Sequence, residues 1–204
     1  MAKSVTAPSP WLRPAIHAGT GLGGLWLAVL PHPWALVCAG LGILVGWVLF
    51  PLTGFDARLR RPGERWLGGL RTYPLAVFGL VALLPPAEAA AAWGVLAFGD
   101  AAAALIGSRV PAPPLLGHPK ATLPGTAAHV LAGWAAAFLL GGAVGAIGRA
   151  AGIVDPGPTP TLLATGLAAL AAVLVDLLLR LPDDNLPCAA AAGGVLAAVR
   201  GLLP

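Results

Sequence analysis

The chain has 204 residues, of which 58% are hydrophobic and only 10% charged. A soluble domain carries about 25% charged residues, and with a mean hydropathy of +0.85 this chain could not clothe its surface in water. Lipid must serve as solvent for most of its exterior, which leaves helices as the expected all-α architecture of a single polytopic transmembrane domain over 1–204. The net charge of +4 comes without a basic-aromatic stripe. It reads as topology charge, with no nucleic acid as partner.

The N-terminal apolar stretch follows Arg13 and has no small-x-small cleavage site, so it is expected to be retained as a helix. A span needs roughly 20 mostly apolar residues, and seven are predicted, over 14–30, 34–52, 72–84, 87–107, 125–148, 161–181 and 186–203. The third is short and interrupted by glycine, so six is the alternative count. Pro31-His32-Pro33 and Pro85-Pro86 form turns, and charged or Pro-rich loops run over 56–71, 108–124 and 149–160. With the N-terminus inside, Lys3, Arg13, Arg58, Arg60, Arg61, Arg65, Arg71, Arg109, Lys120 and Arg180 fall on the cytoplasmic side and Arg149 and Arg200 on the other. Ten against two predicts N-in, C-out insertion in the cell's inner membrane. Cys38 and Cys188 lie in apolar stretches and read as small core residues.

Few polar residues resist a topological explanation. Asp100 lies inside the fourth span, where an ionisable group is costly and functional by default. Asp176 closes the sixth span, with Arg180 four residues on as a partner that could neutralise it. Asp183-Asp184-Asn185 sets three hard oxygen-bearing side chains side by side at the membrane surface. That suits Mg²⁺ shared with phosphates, although the same residues also make good turn chemistry. Arg109, His118 and Lys120 share one loop with Gly117 and Gly125, a pattern that favours phosphate without the Walker form. Arg13 and His17 stand four apart on one helix face. His129 reads as an inter-helix hydrogen bond, and His32 as a turn residue.

In this order the motifs resemble the CTP-dependent lipid-alcohol kinases, the family of dolichol kinase, phytol kinase and yeast-type diacylglycerol kinase, itself similar to the CDP-diacylglycerol synthases. The resemblance runs from about Arg13 to Ala198. Arg13 and His17 match an Arg-Lys-x-x-His element without its Lys. Arg61-Pro62-Gly63-Glu64 with Gly68-Gly69 resembles a basic loop with Glu before Gly-Gly. Gly99-Asp100, Ala103 and Gly107 match the next element, with Arg109 displaced by one. Lys120, Thr122, Leu123, Gly125 and Thr126 match the next, while Ala121 and Pro124 depart from a usual cation and a usual carboxylate. Asp176 and Asp183-Asp184-Asn185-Leu186 match the last, with Asp176 where Glu is usual.

The resemblance implies a kinase that moves the γ-phosphoryl group of CTP onto a long-chain lipid alcohol with Mg²⁺ on its cytoplasmic face. Asp183, Asp184 and Asn185 would hold the metal. Arg109 and Lys120 would neutralise phosphate, beside Thr122, Gly125 and Thr126. Asp100 would be a second metal ligand or the base, with Asp176 in a catalytic role. Arg13, His17 and Glu64 would meet the lipid headgroup. A CDP-lipid synthase, a diacylglycerol kinase and a small transporter are the alternatives.

Overall fold

The computed structural model describes residues 11–59, 68–118, 121–179 and 183–202, and within them the protein is helical. α1 (Leu12–Gly21) runs on as a 3₁₀ turn, Leu22–Ala28. α2 (His32–Leu44) passes through a π turn, Val45–Leu49, into α3 (Phe50–Thr53). After the short α4 (Asp56–Leu59) come α5 (Gly69–Leu83), α6 (Pro86–Gly94), a second π turn (Val95–Gly99) and α7 (Asp100–Gly107). Then follow α8 (Leu123–Ala151), α9 (Leu162–Leu179) and α10 (Asn185–Leu202).

Five continuous helices are long and apolar enough to cross a membrane: His32–Thr53, Pro86–Gly107, Leu123–Ala151, Leu162–Leu179 and Asn185–Leu202. The protein is therefore a polytopic, all-α membrane protein. The other two expected spans fall on shorter pieces. Gly69–Leu83 has 15 residues, which at about 1.5 Å per residue reach about 22 Å, short of a hydrocarbon core of about 30 Å.

α8 is the hub, packed against α6, α7 and α9, while α10 lies against α9 and α5. The packing is built on small residues. Ala87, Ala90, Ala91, Ala92, Ala97, Ala137, Ala168, Ala169 and Ala172 are closed to solvent, whereas Trp26, Trp34, Leu41, Leu52, Leu139 and Leu178 point outward. That inversion follows from the solvent. Lipid is as apolar as leucine, so helices associate by close backbone approach between small side chains. At Gly94 a Cβ would stand 3.0 Å from the Ala136 carbonyl carbon, a crossing that only glycine permits.

Two local features position the polar residues. Pro74 sits inside α5 and removes the amide that would bond the Leu70 carbonyl. In the same turn, the Arg71 carbonyl accepts the Trp47 indole N–H at 3.2 Å. The π turn before Asp100 adds a residue to one turn of the helix, which rotates α7 relative to α6.

Candidate functional site

The sequence-derived candidates meet at one end of the bundle, where α1, α5 and α10 begin, α9 ends, and α7 and α8 come together. His17, buried in α1, brings Nδ1 to 2.9 Å from Asp100 Oδ2. The contact lies off the ring N–H axis, so Nδ1 does not form a hydrogen bond there. Such misalignment is common in sites that tighten on substrate. The His17 ring stacks on Tyr73 at 4.4 Å between centroids. Tyr73 is itself fixed, its hydroxyl 2.9 Å from Thr20 Oγ1 and accepting the Trp93 indole N–H at 2.9 Å. A platform of α1, α5 and α6 thus holds His17 against the first residue of α7.

The second group is the turn into α10. The Asn185 amide nitrogen is buried and donates to the Gly69 carbonyl (3.1 Å), Thr72 Oγ1 (3.1 Å) and Asp183 Oδ1 (3.0 Å). A Cβ at Gly69 would run into the Arg13 guanidinium, the Asn185 amide and the Asp183 carboxylate. This close approach is a physical reason for glycine at the second position of the Gly68-Gly69 pair. Burial pushes the Asp183 carboxyl above the usual carboxylate range. The Thr72 hydroxyl bond opposes that rise, the Asp184 charge adds to it, and Arg13 opposes it. Cys188 ties the group to the rest. Its thiol donates to the Ala172 carbonyl at 3.3 Å and lies within electrostatic reach of Asp184, Asp176, Asp100 and Asp183 together.

The donors available at this end are hard oxygens. Among the described residues no three His, Cys, Asp or Glu side chains stand close enough to hold an ion alone. A Mg²⁺ site of one or two carboxylates completed by phosphate and water has that character, and the half-buried, mutually repelling Asp183 and Asp184 are the pair a cation would relieve. Asn185 spends its amide nitrogen bracing Asp183, so any contact with a metal would come through its carbonyl oxygen.

The remaining candidates have visible local roles. Arg109 donates to the Leu105 carbonyl at 2.7 Å and lies 3.7 Å over the Trp11 ring, pinning the end of α7 to the start of α1. Thr122 caps α8 by accepting the Gly125 amide at 3.3 Å. Gly125 faces Gly107 and the Ala103 carbonyl where a Cβ would crowd both. The Thr126 amide bonds the Thr122 carbonyl at 2.8 Å. His118 is buried and its Nδ1 accepts the Ala121 amide at 3.0 Å, folding the loop back. Lys120 and Glu64, and Arg180, the expected partner of Asp176, lie outside the described residues.

Two readings need correction. Arg71 was expected to close the charged cytoplasmic segment 56–71, but it sits in the first turn of α5 and is only 3% exposed. A buried cation needs partners, so Arg71 belongs to the site end and is no simple topology charge. His129 was expected to make an inter-helix hydrogen bond, yet among the described residues its Nε2 is buried without one. Tyr73 and Thr72 were not anticipated. The polar run Arg71-Thr72-Tyr73 opening an apolar helix was the available signal.

No family model, no curated protein and no solved structure matches the chain.

Proposed function

We propose that this end of the bundle transfers the γ-phosphoryl group of a nucleotide, CTP by the motif resemblance, to the hydroxyl of a long-chain lipid alcohol at the cytoplasmic surface of the inner membrane. The observation that carries the reading is the buried His17–Asp100 contact at 2.9 Å, set at the same end as a carboxylate turn suited to a hard cation. Phosphoryl transfer asks a protein mainly to position groups and neutralise charge. Asp183 and Asp184 would hold Mg²⁺, which when bound supplies charge neutralisation for the triphosphate. Arg13 lies against Asp183 and Gly69, at the level where phosphates would arrive. Asp100 Oδ2 lies 2.9 Å from His17 Nδ1 and would orient the ring once that contact aligns on substrate. Nε2 would then be the ring nitrogen that takes the alcohol proton as the oxygen attacks phosphorus. The alcohol's tail stays in lipid.

An ion relay would place polar groups through the bilayer. Along α6 and the π turn, residues 89–99 carry no ionisable side chain, which favours the enzyme over the transporter. A CDP-lipid synthase would use much the same end of the bundle. Incubating the purified protein with γ-labelled CTP and a panel of lipid alcohols separates the two. Label in the lipid supports the kinase, and label released in pyrophosphate rejects it.

A further inference from the structure

The stretch Val110–Gly117, between α7 and α8, has no part in the chemistry above, and its outer surface is apolar. It carries no ionisable side chain. Leu116 at its tip is 71% exposed, and Val110 and Leu123 are exposed where it meets the two helices. Both junctions continue lipid-facing stripes. The Val110 amide bonds the carbonyl of exposed Ile106, one turn back in α7, at 2.9 Å. Leu123 opens α8 and shares a stripe with exposed Ala127 and Leu131 at steps of four. The backbone suits the same medium, because apolar surroundings make an unbonded amide costly. Pro111, Pro113 and Pro114 have no amide N–H to satisfy. The Leu115 amide bonds the Ala121 carbonyl at 2.8 Å, the His118 amide bonds the Leu115 carbonyl at 2.8 Å, and the Ala121 amide bonds His118 Nδ1 at 3.0 Å. An antiparallel bridge between Pro114 and Thr122 closes the loop.

We propose that Val110–Gly117 is a membrane-dipping loop, whose tip at Leu116 inserts among the lipids of the leaflet on the near end's side. Its partner is the boundary between headgroups and acyl chains. Three observations favour that partner over water. The exposed apolar surface is continuous with the lipid-facing sides of two spans, and such patches mark interaction sites. A 3₁₀ turn, Leu115–Gly117, holds Leu116 at φ 51°, the one non-glycine residue with positive φ among the described residues. A leucine is strained in that conformation, and in water its exposed side chain would add a second cost, whereas in lipid the side chain is favourable. Arg109, immediately before the stretch, lies over the ring of exposed Trp11. Tryptophan and arginine are the residues that anchor a chain at the membrane–water boundary, so this pair sets the headgroup level beside the loop. The loop fixes how deep the near end sits whatever reaction runs there, and it stands or falls separately from the kinase reading.

The test needs no nucleotide. The full-length protein is spin-labelled at Leu116→Cys in a Cys38→Ser, Cys188→Ala background and placed in nanodiscs of phosphatidylcholine and phosphatidylglycerol. Collisions with oxygen, which concentrates in lipid, are compared with collisions with a water-soluble nickel chelate. Leu131→Cys on α8 serves as the lipid reference, and Asp155→Cys in the exposed far-end turn as the water reference. The oxygen-to-nickel ratio at position 116 is expected to lie nearer the lipid reference. A label at Pro113→Cys should shift towards the water reference when Leu116→Asp is added. A ratio at 116 nearer the water reference overturns the proposal. Low collision with both agents also overturns it, because protein would then cover the tip. Should the cysteine-free background not fold, a benzophenone amino acid in place of Leu116 in the otherwise natural chain carries the test. Lipid adducts on illumination are then expected, and their absence overturns the proposal.

Discussion

The two ends of the bundle treat their polar groups in opposite ways. At the far end, buried Glu88 in the first turn of α6 accepts from Arg200 of α10 at 3.1 Å. Arg149 donates to Thr159 at 2.9 Å, and Asp155 caps its own turn through the Gly157 amide at 2.9 Å. His32 completes the pattern, a ring nitrogen 3.2 Å from the Val81 carbonyl. Donors there meet acceptors, and the two arginines that run against the charge bias have partners. At the near end, His17 meets Asp100 off-line, His129 Nε2 lacks a bond among the described residues, and Asp183 is half-buried beside a second carboxylate. An end that only has to close satisfies its polar atoms, whereas an end that binds a ligand leaves some of that satisfaction to the ligand.

That contrast can be broken from either side. The largest effect is expected at the His17–Asp100 pair. Asp100→Asn or His17→Phe should lower phosphoryl transfer by about 10²–10⁴-fold, with little change in the melting temperature. Full activity in either variant would remove the site assignment. Arg200→Met should do the reverse. It leaves Glu88 buried without its cation and should cost about 1–3 kcal/mol of stability, read by chemical or thermal denaturation, while activity per folded molecule stays near wild type. A loss of turnover at unchanged stability would show that the far end is not merely structural.

Asp183 gives a pH signature of intermediate size. Its folded-state carboxyl is raised above the ordinary value of about 3.9 by burial, so ionising it costs the empty fold. The stability it contributes is fully present below that ordinary value and is lost as pH rises through the raised one. Mg²⁺ binding, which needs the carboxylate, should strengthen over the same rise and release a proton. Asp183→Asn should flatten both dependences, as followed by calorimetry in buffers of different protonation enthalpy. The smallest effect is expected at Gly125→Ala, where the added methyl crowds Gly107 and the Ala103 carbonyl. We expect about 1–3 kcal/mol of overpacking and a proportionate loss of folded protein without a change in KM for nucleotide.

The sequence made the near end legible wherever a charge sat in the wrong place. Asp100 inside an apolar run, and Asp183-Asp184-Asn185 between two spans, stood out because lipid makes such residues expensive. Seven apolar segments could be drawn because helices alone can bury their backbone in lipid, and their limits fall within a few residues of the observed elements. Tyr73 and Thr72 were hidden because their meaning lies in partners 53 and 113 positions away, Thr20 and Asn185. Arg71 was hidden because α5 begins at Gly69, earlier than hydropathy placed it. The fit of Gly99 to His129, where a Cβ would lie 2.6 Å from Nε2, was hidden by the π turn, which breaks the 3.6-residue phase on which any face assignment of α6 and α7 relies.

On the proposed function, the near end moves a phosphoryl group from a nucleotide to a lipid hydroxyl, with Asp100 at its centre. The direct measurement is transfer of label from γ-labelled CTP into lipid alcohols by the purified protein in proteoliposomes, beside the Asp100→Asn variant. Labelled, phosphorylated lipid is expected from the wild type and none above background from the variant. Label appearing as pyrophosphate, equal transfer by both proteins, or no nucleotide turnover by the wild type with any alcohol would contradict it.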